Sequence, residues 1–179
     1  MSSKISIKEI IKGHFYTLKD AHTGNISLFD WLTFIIFPTI IALLACWKGF
    51  VLPKEVVSNI VTVGVLLSAL LLNLLVLIYG IKNKIPKVDI KDPLHLEHQS
   101  KHNLLDELYY NVSTATLVAF ILLILSIAHS LFIKKTFFYT DVIINSYLID
   151  PLIIFLGFNL VFTFLMIIKR TYLLLVSER

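Results

Sequence analysis

The stretch VVSNIVTVGVLLSALLLNLLVLIYGI, residues 56–81, decides the fold class. It holds no Asp, Glu, Lys, Arg or Pro from end to end. A helix needs about 20 such residues to cross a hydrocarbon core about 30 Å thick. A run this long can tilt or project beyond the lipid. Three further apolar runs accompany it, at 31–47, 112–133 and 148–168. A buried hairpin of a soluble protein would keep a polar face, and these runs leave none. The composition agrees, with 57% hydrophobic residues and a mean hydropathy of +0.83. The chain reads as an all-α polytopic membrane protein with four transmembrane helices.

The charges between the runs set an orientation. Twelve of the sixteen Lys and Arg lie in the N-terminal segment, the middle loop and the C-terminal tail. Lys and Arg accumulate on the cytoplasmic side. Both termini and the middle loop are therefore expected inside, as in a multi-pass protein of a bacterial inner membrane. The expected layout is an amphipathic segment at 1–30, a transmembrane hairpin at 31–81, a cytoplasmic loop and helix at 82–111, a second hairpin at 112–168 and a tail at 169–179. The net charge of +4 and the pI of about 9.1 follow from this bias without invoking nucleic acid. Cys46 is the only cysteine, which excludes an intramolecular disulfide. The first thirty residues lack the apolar core of a secretion signal.

Finer marks sit on this frame. Ile7, Ile10, Ile11, His14, Phe15 and Leu18 follow helical spacing, while Lys4, Lys8 and Lys12 recur every four residues. This is an amphipathic helix. Two readings stay open: a helix lying on the inner membrane surface, and a helix packed on the protein's own cytoplasmic loop. Trp31 and Trp47 bracket the first run as interface anchors. Pro38 lies inside it and removes a backbone bond, which a membrane helix tolerates when a neighbour re-satisfies the carbonyl. In the second run Ser58, Thr62, Ala69 and Asn73 fall near one face, a pattern that lets membrane helices approach. Asp92-Pro93 reads as a helix start. No break follows before residue 112, so the third span is expected to be the membrane part of a longer helix beginning in the cytoplasm. Asp150-Pro151 is another cap-like pair.

The candidate binding residues lie in the middle loop. His95, His98 and His102 are spaced three and four apart, so one helix face holds all three. Lys101 lies beside them, and Lys82, Lys84, Lys87 and Lys91 lead in. Three readings remain open. The cluster is a zinc site of permissive spacing, an anion-binding surface where lysines and imidazoles converge on phosphate, or a solvated helix whose charges follow topology alone. No GxSxG, Walker or CxxC motif points to an enzyme. No catalytic residue, resident metal or cofactor is assigned. The spans carry no internal Asp, Glu, Lys or Arg, which argues against an ion or proton relay. Ser68, Asn73, Asn159 and Thr163 are left as neutral candidates for a pore lining or an inter-subunit contact.

The segments DWLTFIIFPTIIALLACWKG, LLLNLLVLIYGIKNK, LLDELYYNVSTATLVAFILLILSI and FTFLMIIKRTYLLL resemble small membrane proteins of bacterial anti-phage systems of the Hailong, Panoptes and CBASS types. In such systems a nucleotidyltransferase or related polymerase makes a nucleotide signal, and a small multi-span partner permeabilises the membrane. The resemblance implies a homo-oligomeric channel, a tetramer among the options, gated by a nucleotide or oligonucleotide. A non-catalytic membrane scaffold for a cytoplasmic partner is the alternative, as is a metal-responsive protein using the histidines.

Overall fold

The computed structural model describes residues Ile7–Thr17, 31–84, His95–Lys134 and 145–176. Within them the chain is helical, with short turns and no strand. Five α-helices follow in order: α1 (Ile7–Thr17), α2 (Phe37–Trp47), α3 (Lys54–Lys82), α4 (His95–Lys134) and α5 (Asp150–Val176). Three helical stretches are long and apolar enough to cross a membrane: Lys54–Lys82, which is α3, Gln99–Leu131 within α4, and Tyr147–Leu174, which joins the turn before α5 to α5 itself. The chain is in this sense a membrane protein. The first expected span is the shorter apolar helix Leu32–Trp47. Asp92-Pro93, Leu18 and Lys4 lie outside the described residues.

α4 is the hub. At 40 residues it is about 60 Å long, twice the hydrocarbon thickness. It packs against α1, α3 and α5, and α5 in turn packs against α2. Helices α2 to α5 therefore form an open row, α3–α4–α5–α2. The short link between α2 and α3 connects them, but the two make no close backbone approach. The row leaves an apolar groove of about 700 Å³ between α3 and α5, floored by Leu122 of α4.

The seams have a seven-residue repeat. On α4 the buried residues Leu105, Leu108, Val112, Ala115, Ala119 and Leu122 alternate steps of three and four. Val57, Leu71 and Ile78 of α3, with Gly64 between the first two, fall seven apart. Ile153, Leu160 and Ile167 of α5 do the same. This spacing is that of left-handed, knobs-into-holes packing. Ala115 and Ala119 let the helices approach, and Gly64 does so where an added Cβ would sit 3.0 Å from the Leu123 side chain.

Two prolines shape the pairing of α2 and α5 in the same way. A wide, π-helical turn, Leu32–Ile36, precedes Phe37-Pro38, and another, Asn145–Ile149, precedes Asp150-Pro151. Proline offers no N–H and crowds the carbonyl four residues back, and a widened turn relieves that crowding. The two carbonyls concerned are those of Phe34 and Tyr147. Each accepts from the other helix: Asn159 Nδ2 donates to Phe34 O at 3.0 Å, and the Cys46 thiol to Tyr147 O at 3.6 Å. In lipid no water could do this. The neighbour that takes up the carbonyl left without the Pro38 N–H, that of Phe34, is thus Asn159.

The turn after α2 is closed by its glycine. Gly49 has φ +59, a left-handed conformation that suits glycine. Its N–H bonds Cys46 O, and Phe50 N–H bonds Ala45 O at 2.9 Å. These are the paired bonds of a Schellman C-cap.

Candidate functional site: two buried polar nodes on one helix

Each end of the apolar stretch of α4 carries a buried polar node. The first gathers α1, α4 and α5 and is called here the basic end. His14 Nδ1 lies 2.8 Å from Asn111 Oδ1. Thr17 Oγ1 lies 2.9 Å from the same oxygen and 2.7 Å from the His14 carbonyl, so its one proton serves either. Arg170 donates to the Thr17 carbonyl at 2.9 Å and pairs with Glu107 at 3.3 Å. Asn111 is wholly buried. Gly13 makes the docking possible, because a Cβ there would fall 2.3 Å from the ring of Tyr110. Beside the node, Lys82 of α3 pairs with Asp106 of α4. The adjacent carboxylates Asp106 and Glu107 point to different neighbours, as residues about 100° apart on a helix must. Burial holds the His14 imidazole below its ordinary range. The Asn111 contact opposes that shift, and the Arg170 charge adds to it.

The second node lies at the far end, where the α2–α3 turn meets α4 and α5. Ser126 and His129 continue the α4 seam in steps of four and three, and both are fully buried. His129 Nε2 lies 2.9 Å from Asp150 Oδ1, with both side chains wholly inaccessible. The contact is at ion-pair distance, though the two atoms are not aligned as a good hydrogen bond. Leu52 N–H donates to Asp150 Oδ2 at 3.1 Å and ties the α2–α3 turn to α5. The Ser126 hydroxyl and His129 Nδ1 have no protein partner among the described residues. An ionisable pair at membrane depth faces the bundle interior, as such pairs do.

The sequence-expected residues divide by location. Ser68 is buried and bonds the Gly64 carbonyl of its own helix at 2.7 Å. Asn159 is engaged by Phe34, and buried Thr163 bonds the Asn159 carbonyl at 2.8 Å. Asn73 instead points outward and makes no hydrogen bond among the described residues. Ser58, Thr62 and Ala69 also point outward, with Thr62 Oγ1 donating only to the Ser58 carbonyl of its own helix at 3.1 Å, so the small and polar face of α3 is turned away from the bundle. Lys82 is held by Asp106, and Lys84 is exposed just past the end of α3. Lys101 and His102 are half-buried on α4. His95 and His98 lie on the first turn of α4, but their side chains, like Lys87 and Lys91, lie outside the described residues.

The basic-end node had one signal in the sequence, His14 on the apolar side of an amphipathic helix. The far-end node had a weaker one: His129 about one turn inside the end of an apolar run, and an Asp150 that reads as an ordinary cap. The fold and its nodes define an all-helical membrane protein held together by polar contacts at both ends of a central helix. No family model, no curated protein and no solved structure matches the chain.

Proposed function

We propose that the chain is the subunit of a homo-oligomeric membrane channel gated by an anionic nucleotide or oligonucleotide, serving as an effector of bacterial anti-phage defence. The observation that carries this reading is α4, one unbroken helix from the histidine-bearing segment at His95 through the apolar core. It joins a basic surface to the membrane without a hinge. It also carries both polar nodes, which are about 27 Å apart along its axis at 1.5 Å per residue. A ligand that pulls on its start acts on both nodes at once.

The basic end is cytoplasmic in this reading, in a bacterial inner membrane, because most Lys and Arg gather there. The layout then has four spans, with Leu32–Trp47 a short first span. Lys84, Lys87, Lys91, His95, His98, Lys101 and His102 meet the signal, and Lys82 joins them when Asp106 releases it. Among the described residues, one copy is an open row of helices and encloses no pore. Several copies joined through the outward face of α3 would place neutral polar groups around an axis, a lining that gates by dewetting.

Vesicles containing the purified chain provide the test. Conductance should appear with short oligonucleotides or cyclic nucleotides and disappear when Lys84, Lys87 and Lys91 become Glu. Vesicles that stay silent with every such ligand, while the chain captures a soluble protein through the same loop, would replace the channel with a membrane scaffold.

A further inference from the structure

We propose that α1 is an anionic-lipid-binding helix, clamped to the protein on one side and sunk into the leaflet at the basic end on the other. Residues advance about 100° around an α-helix. The buried residues His14 and Thr17 and the ring-facing Gly13 occupy one sector of α1, the one that meets α4 and α5. Ile7, Ile11 and Phe15, four apart, form the next sector. They are 47%, 44% and 48% exposed, so the bundle does not use them. Lys8 and Lys12 form the sector after that and are exposed. Going round the helix, the order is protein, apolar stripe, lysines. A helix lying in a membrane interface needs that order: side chains in the acyl region with ammonium groups beside them at headgroup level.

The depth of α1 agrees. It is fastened at Asn111, the last polar residue before the apolar run begins at Val112. The exposed Lys84 and Lys169 lie at the same end, so the surface met by the stripe is positive as a whole. Charge complementarity therefore selects phospholipids with a net negative headgroup. The stripe does not depend on conduction, and its test is separate from the channel reading.

The test uses the full-length chain in vesicles, with Trp31 and Trp47 changed to Phe and Ile11→Trp as the probe. Lipids brominated on the acyl chains should quench the probe strongly in phosphatidylglycerol-containing vesicles. Lys8→Glu with Lys12→Glu should weaken the insertion equilibrium, by about fivefold for each lysine lost. Phe15→Trp serves if Ile11→Trp does not fold, and Leu66→Trp on exposed α3 is the positive control. A probe on α1 left unquenched while the α3 control is quenched would overturn the proposal. Quenching that ignores both lysines and headgroup charge would overturn the lipid selectivity. Quenching that appears only when the protein is diluted would hand the stripe to a second copy.

Discussion

Asn159 illustrates how a membrane fold uses single polar residues. The Pro38 ring frees the Phe34 carbonyl, and one amide from α5 takes it up. Asn159→Leu should cost about 0.6–1.7 kcal/mol, the span from average to largest coupling for polar contacts between helices of a folded membrane protein. Pro38→Ala restores an N–H to that carbonyl, so the double variant should recover much of the loss. Equilibrium unfolding in detergent or bicelles measures this coupling. At the far end, Asp150→Ala strands His129 and the Leu52 N–H together. Removing one partner of a buried pair costs about 3–5 kcal/mol. Asp150→Asn, which still accepts from Leu52, should cost less in the same assay. His14 adds a pH dependence. Its folded pKa lies below the ordinary imidazole value of 6.5, so at neutral pH the docked imidazole is neutral. As pH falls below that value, the undocked histidine takes up a proton that the docked one refuses, and docking weakens. Protease access to α1 should rise as the pH falls from 7.5 to 5.5, and His14→Gln should flatten the response. The charged groups at this node are Arg170 and Glu107, which pair with each other.

At the scale of elements, legibility depended on contrast. The long apolar helices were plain from length alone. The unbroken passage from the basic segment into the third apolar run was also readable, because no Gly or Pro interrupts 94–133. The internal face of α3 was not readable from hydropathy. Val57, Leu71 and Ile78 face the core while Val63, Leu66 and Leu70 face outward, and all are equally apolar. Lipid replaces water as the solvent, so hydrophobicity no longer separates inside from outside. Polar and small residues carry the remaining signal. The sequence placed Ser58, Thr62, Ala69 and Asn73 on one face, but not which way that face turned. The seven-residue seam of α4 continues through Ser126 and His129, and that spacing was the readable trace of the far-end node.

At the scale of the whole molecule, the open row α3–α4–α5–α2 leaves α3 with a polar, small-residue face turned away from the bundle. Asn73 sits there among leucines, about two and a half turns from the end of the helix at Lys82. An amide facing hydrocarbon finds its partner on another helix, and the account assigns that helix to a second copy. Asn73→Leu should therefore shift the assembly toward monomers while leaving the monomer's fold intact, because its side chain makes no hydrogen bond within the described bundle. Size-exclusion chromatography with light scattering in mild detergent reads this shift. The most direct measurement is cysteine cross-linking in native membranes, with Cys46 replaced by Ala. Ala69→Cys and Asn73→Cys should give disulfide-linked dimers on oxidation, and Leu71→Cys, on the buried face, should not. Monomers at all three positions, or cross-linking at Leu71 alone, would contradict assembly through α3 and with it the channel built on that face.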